Sequence, residues 1–285
     1  MIGSSRPVHD TDAPASAGQG AVECWPPCSW ATISPILLGM SDKSASSPSA
    51  EQALKRDLAL ACRILAAHGQ GDHIWGHVSG RLPGWDRFWM KPTAMGLEEV
   101  QEDDLILLDL DGKVLQGHRP RHEEYPIHAE VMRARPEVLA VVHTHPPFSI
   151  AFAARGGDLR PVSHEGSLFW PPGVPIFDRF TDLARTREQG ESIAAALGDR
   201  RALFLLSHGI VVPGASVPEA CCMAIALERA ARIQLLAQPT SDAPIRHTPE
   251  EEARLKPAIW FSDRIRIIFE YYARTLPRNQ TEPSA

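Results

Sequence analysis

Val138-Leu139-Ala140-Val141-Val142-His143-Thr144-His145-Pro146-Pro147 is the most informative segment of this chain. Its unbroken apolar run, rich in β-branched valine, is the pattern of a strand buried on both faces. Two prolines then stop it, because neither can donate to a sheet ladder. In the period-2 pleat His143 and His145 fall on the same side, so two imidazoles leave the end of the sheet together. Burying two polar rings side by side is costly unless something binds them. That favours metal ligation over two hydrogen-bonded structural histidines.

The segments around it extend the pattern. Ala202–Leu206 reads as a second buried strand, ending at Ser207-His208-Gly209. Alone, a histidine in that place is as readily structural as ligating. Glu124 opens a helix expected over 123–135 that leads directly into the His143 strand, so its carboxylate can return to the same sheet end. Three neutral imidazoles and one carboxylate suit zinc, manganese or ferrous iron and leave room for a substrate oxygen.

The whole chain, 285 residues with 44% hydrophobic, can bury a substantial core. With 29 basic against 35 acidic residues the formal charge is −6, which provides no footprint for nucleic acid or an anionic membrane. No apolar run approaches the roughly 20 residues of a spanning helix. A soluble protein is expected. Cysteines at 24, 28, 62, 221 and 222 are odd in number and lack paired spacing, which argues for a reducing cytoplasm over a secreted disulfide framework. Cys24 and Cys28 make at most half a zinc site, since no second pair follows at finger spacing.

Residues 1–48 are rich in Ser, Pro, Gly and Ala without periodicity and are expected to form a poorly ordered extension. The apolar run Ile33–Leu38 lacks a signal peptide's basic flank, and Met40 is an alternative start that would leave 1–39 outside the natural protein. A domain is expected over 49–240. Ser49 and Gln52 form a capping box ahead of Leu54, Leu58, Ala61, Cys62 and Leu65 at helical spacing, with Gly69 as the stop. Short strands are expected over 74–79, 88–91, 105–108 and 113–115, the last two joined by Asp109-Leu110-Asp111-Gly112.

Helices are expected over 148–154, 189–197, from the Ser216/Glu219 capping box to Leu236, and from Thr248 through Trp260 towards Tyr272. The long irregular stretch 156–182 reads as functional rather than idle. Strands alternating with helices but joined by hairpins predict an α/β domain with a mixed or antiparallel sheet. Residues 241–285 are expected to be a C-terminal helix and tail packing on the domain or on a neighbouring subunit. The stripe Trp260, Phe261, Ile265, Ile268 and Tyr272 is most simply core.

Several of these motifs occur together, in order: Gly76-His77-Val78-Ser79-Gly80-Arg81, Glu124-Tyr125-Pro126-Ile127-His128, Arg135-Pro136-Glu137-Val138, Val141-Val142-His143-Thr144-His145-Pro146 and Ser207-His208-Gly209. As a set they resemble the class II aldolase/adducin family over about 51–237, with Glu124 and His143 separated by 19 residues. The resemblance implies a three-layer α/β/α domain with a central, largely antiparallel sheet, assembled as a homotetramer with active sites at subunit interfaces. Carried over residue by residue, it implies that His143, His145 and His208 ligate one divalent ion per subunit. Glu124 would be either a fourth ligand or a base displaced by a chelating substrate. Adducin-like members have lost these residues and are scaffolds, whereas all four positions are filled here.

A divalent ion on a carbonyl or enol oxygen holds the negative charge released when a neighbouring C–C bond breaks. Retro-aldol cleavage and decarboxylation both produce such an enolate. The sugar-phosphate aldolases of the family hold phosphate with an Asn where this chain has His77, and with paired serines where it has His122-Glu123. An anionic Glu123 would repel a phosphate. His164-Glu165-Gly166 and Val174-Pro175-Ile176-Phe177-Asp178 resemble the decarboxylase branch, and His164 falls near the family's catalytic tyrosine from an adjacent subunit.

The expectation is therefore a metal-dependent carbon–carbon lyase, a decarboxylase of a small hydroxylated aromatic or semialdehyde acid. His77, Arg81 and Arg121 are the candidates for holding its carboxylate; ordinary salt-bridge or core roles are the alternative for them. Phe169 and Trp170 are candidates for an aromatic lining, with loop packing as the alternative. Rival functions are an aldolase acting on a hydroxy-carbonyl substrate, a non-haem iron oxygenase of the same superfamily, and an adducin-like scaffold.

Overall fold

The computed structural model describes residues 49–237 and 244–277. The expected extension over 1–48, with Cys24, Cys28 and Met40, lies outside the described residues.

Helix α1 (Ala50–Leu65) begins at the reciprocal Ser49/Gln52 capping box, and the turn that follows passes through Gly69 in the left-handed region (φ 76°). Four short strands follow, β1 (His77–Gly80), β2 (Arg87–Met90), β3 (Ile106–Asp109) and β4 (Val114–Gln116). Next come α2 (Tyr125–Ala134), β5 (Ala140–Thr144), α3 (Pro147–Arg155), the two-residue β6 (Ile176–Phe177), α4 (Arg187–Leu197), β7 (Leu203–Leu205), β8 (Gly209–Gly214) and α5 (Val217–Leu236). All strands join one sheet in the order β4-β3-β2-β1-β5-β8-β7-β6, antiparallel except for the β6–β7 pair.

β8 has no counterpart among the expected strands. Gly209, Pro213 and Gly214 are poor strand formers, but β8 lies between β5 and β7, and pairing on both sides overrides local propensity. The helix expected from Thr248 to Tyr272 is broken into α6 (Glu250–Leu255), a tight turn over Lys256–Ile259, and α7 (Ser262–Arg274). Pro257 removes a helical donor there, and Trp260 leaves helical geometry at φ −101°, ψ 54°. Of the expected stripe on this segment, Ile265 is buried and Phe261 is half-exposed.

The pleat divides the core into two layers. Val78, Trp89, Leu107, Val142, Phe204 and Val212 point to one face, where they pack with α1, α3, α5 and α7. Phe88, Met90, Leu108, Val141, Leu203 and Val211 point to the other, against Ile127 and Val131 of α2 and Ile193 and Leu197 of α4. The three-layer α/β/α architecture that the family resemblance implies is thus the observed one. Among the described residues no helix is long and apolar enough to cross a membrane.

α2 is tied at its C-terminal end by Arg81. This guanidinium donates to the carbonyls of Met132, Arg135 and Pro136 at the end of the helix and to those of Val138 and Trp85. The expectation that Arg81 holds a substrate carboxylate is corrected by this arrangement. Arg81 follows the Gly80 end of β1, opposite the His77 end that pairs with His143, and its donors are occupied by backbone. Arg81→Met is expected to lower unfolding free energy by about 3 kcal/mol, because several buried carbonyls lose a charged donor. Urea denaturation checks this; an unchanged midpoint would reject the structural role.

Candidate metal centre

β1, β5 and β8 are neighbours at the middle of the sheet, and three of the four candidate ligands come from this strip. His143 is paired with His77 on one side and Val211 on the other. His145 lies just past the end of β5, where Pro146 and Pro147 turn the chain into α3. His208 sits in the tight β7–β8 turn, preceded by Ser207 in the left-handed region (φ 56°). Gly209 allows that turn to approach: a Cβ there would collide with the Thr144 carbonyl and crowd the His145 ring. Glu124 is the N-cap residue of α2, so the helix that crosses the sheet returns its carboxylate to the histidines.

One ligand atom from each of Glu124, His143, His145 and His208 lies within 4.8 Å of all the others. Second partners orient the rings. His143 Nδ1 donates to the Ile210 carbonyl at 2.9 Å, and His145 Nδ1 donates to Asp72 Oδ2 at 3.0 Å. Neutral rings held in this way each present a bare lone pair on Nε2, and the two Nε2 atoms face each other at 3.1 Å. Facing lone pairs repel, and a cation between them converts repulsion into ligation. His208 Nε2 is buried without a hydrogen-bond partner, 3.7 Å from Glu124 Oε1. The donor set fits a divalent ion.

The protonation states suit a cation as well. Burial, then the neighbouring His143, pushes His145 down to about 4. Burial alone would raise the Glu124 carboxyl, but the His143, His208 and His77 rings close around it outweigh that and hold the group well below the usual carboxylate range. Its Oε1 also accepts from the Ala184 amide at 3.0 Å. Neutral rings and an ionised carboxylate are the forms that ligate.

The centre opens on a cavity of about 770 Å³. Besides His145, His208 and Glu124, its wall includes His122, Thr93, Trp75 and Arg185. Below it, the buried Lys91 ammonium donates to the Ile74 and Pro92 carbonyls and lies 3.3 Å from His122 Nε2. Burial lowers Lys91 to about 8, which keeps it cationic at neutral pH. Burial and then Lys91 push His122 down to about 3. His122 is therefore neutral, accepts at Nε2 and carries its proton on Nδ1. Arg185 bonds to Glu123 and Asp182 on its Nε and Nη1, which leaves Nη2 without a partner among the described residues.

The other expected substrate residues are placed elsewhere. His77 lies behind the centre, 1% exposed, its Nε2 3.7 Å from Glu124 Oε2. Arg121 stacks on Tyr125 and donates to the His122 carbonyl. His164 is exposed and does not line the cavity. Phe169 is buried in the core and Trp170 stacks with Arg160, which answers the aromatic-lining expectation with loop packing. Asp72, Lys91 and Arg185 carried no sequence signal: each is a single charged residue outside any motif.

A family model described as the class II aldolase and adducin N-terminal domain matches residues 56–235. The chain belongs to that family. It is 34% identical over 201 residues to a 3,4-dihydroxyphthalate decarboxylase of Arthrobacter keyseri, covering 66% of this chain and 80% of the relative. An aldolase II superfamily protein from Pseudomonas syringae superposes with a TM-score of 0.74 at 28% identity, over 82% of this chain and 96% of that one. An L-fuculose 1-phosphate aldolase from Glaciozyma antarctica shares the fold, with a TM-score of 0.71 at 24% identity over 85% of this chain and 95% of the other.

The depressed histidines set an acid limit. Between the ordinary 6.5 and about 3 to 4, the unfolded chain binds protons on His122 and His145 that the native state refuses, so stability falls as pH falls through that window. Glu124, depressed in the native state, adds a loss in the same direction below the usual carboxylate range. Urea midpoints of cation-free protein are expected to drop steadily from pH 7 to pH 4. A flat profile would reject the buried neutral rings.

Proposed function

We propose that this protein is a metal-dependent carbon–carbon lyase that decarboxylates a small, non-phosphorylated, ortho-hydroxylated aromatic acid. The observation that carries the reading is the convergence of Glu124, His143, His145 and His208 beside a cavity whose wall offers N–H and guanidinium donors. The likeness to a 3,4-dihydroxyphthalate decarboxylase supports an aromatic substrate. Glu123 on the cavity wall disfavours a dianionic phosphate, while its pairing with Arg185 leaves part of the guanidinium for a carboxylate.

A divalent cation, zinc, manganese or iron, held by the four residues would supply a Lewis acid for the charge that develops as the C–C bond breaks. Arg185 Nη2, the Thr93 hydroxyl and His122 Nδ1–H would orient the substrate's carboxylates, and Trp75 would cover its ring. The C–C electron pair stays on the ring carbon, which takes a proton as carbon dioxide leaves. We assign that proton to His164 of a neighbouring subunit in a homotetramer, since within its own chain the ring is exposed and away from the cavity. Buried, unpaired Cys62, Cys221 and Cys222 suit the cytoplasm.

Purified protein loaded with zinc, manganese or ferrous iron is expected to release carbon dioxide from ortho-hydroxylated benzoates and phthalates without consuming oxygen. Cleavage of an unphosphorylated hydroxy-aldehyde instead would establish an aldolase, and oxygen uptake an oxygenase. Failure to retain any cation would leave an adducin-like scaffold. Arg185→Met is expected to raise KM roughly tenfold or more, the loss of one charge-assisted contact. An unchanged KM would remove Arg185 from the substrate site.

A further inference from the structure

The metal centre rests against a buried polar chain that the reaction described above does not use. His77 Nδ1 and His128 Nε2 are 2.6 Å apart, as are His128 Nδ1 and Ser79 Oγ. The three side chains are at most 1% exposed. His77 and Ser79 share one face of β1, while His128 lies one turn beyond Glu124 on α2. Phe88 stacks beside the His128 ring. The remaining nitrogen, His77 Nε2, is buried, has no hydrogen-bond partner, and points at Glu124 Oε2 from 3.7 Å.

Only two proton arrangements satisfy both 2.6 Å contacts with neutral rings. In one, His77 Nδ1–H donates to His128 and His128 Nδ1–H donates to Ser79, which leaves a bare His77 lone pair facing a buried carboxylate. In the other, the Ser79 hydroxyl donates to His128 Nδ1, His128 Nε2–H donates to His77 Nδ1, and His77 presents Nε2–H to Glu124. The carboxylate repels the first and attracts the second. At 3.7 Å the last contact is charge–dipole attraction rather than a hydrogen bond.

We propose that Ser79, His128 and His77 form a one-way hydrogen-bond chain ending on Glu124, and that His77 is a positioning residue for that carboxylate rather than a substrate contact. The Ala184 amide holds one carboxylate oxygen and the chain faces the other, so Glu124 keeps one orientation towards His143, His145 and His208. The His122 and His143 rings are the other titratable groups against His77, and neither offers its Nε2 a partner. The inference rests on the reading of Glu124 as part of the metal centre.

The test measures zinc(II) affinity by competition with a chelating dye for the intact chain, Ser79→Ala, Glu124→Ala and the double variant. Ser79→Ala is expected to weaken zinc binding about tenfold, the usual cost of losing an outer partner, and to have no further effect once Glu124 is gone. Equal loss in both backgrounds, or none in either, overturns the proposal. Ring nitrogen shifts of protein labelled with ¹⁵N-histidine give a second readout that needs no cation. Protons on Nε2 of both His77 and His128 are expected, and a proton on Nδ1 of either ring overturns the chain. If the intact protein binds no zinc, the metal centre fails while the nitrogen shifts still judge the chain.

Discussion

Two imidazole lone pairs 3.1 Å apart are the constraint around which this molecule is arranged. Committing each Nδ1–H, one to the Ile210 carbonyl and one to Asp72, leaves the two Nε2 atoms no direction except towards each other. Such a pair is unfavourable in an otherwise apolar sheet end. The surrounding fold keeps it in place. β8 must lie in register with β5 to bring the Ile210 carbonyl under His143, and Gly209 must be side-chain-free for the β7–β8 turn to reach the Thr144 carbonyl.

α2 transmits the position of the sheet to the carboxylate. Its C-terminal carbonyls are gathered by Arg81, its middle packs Ile127 and Val131 on the sheet, and its first turn places Glu124 and His128 against β1. The cost of burying so many histidines is limited because most of them are neutral. Desolvation removes the charge from His77, His122, His128 and His145, and the ionised Glu124 carboxylate among them accepts from the Ala184 amide.

The cavity wall around the Glu124, His143, His145 and His208 cluster comes from different parts of the chain. Thr93 and His122 belong to loops beside β2 and α2, whereas Leu183 and Arg185 belong to the loop that leads into α4. That second loop touches the centre through the Ala184 amide and presents Arg185 next to it. One side of the cavity wall and the orientation of the Glu124 carboxylate are thereby linked over a few residues of one loop.

Most of the fold was legible because periodicity and capping are local. The Ser49 box, the Val138–Val142 run and the Ser216 cap each specify an element from neighbours in sequence. The Glu124, His143, His145 and His208 set was legible because it ends elements that could be read, with His143 and His145 related by the pleat itself. β8 was not legible, since its stability comes from strands on both sides rather than from its own glycines and proline. The same reason hid Asp72, Lys91 and Arg185, whose partners lie far along the chain, and misdirected the reading of His77 and Arg81. The linear chain determined which chemistry could be assembled; only folding decided which charges face the cavity and which are consumed in holding it, because desolvation and hydrogen-bond direction depend on neighbours brought together in space.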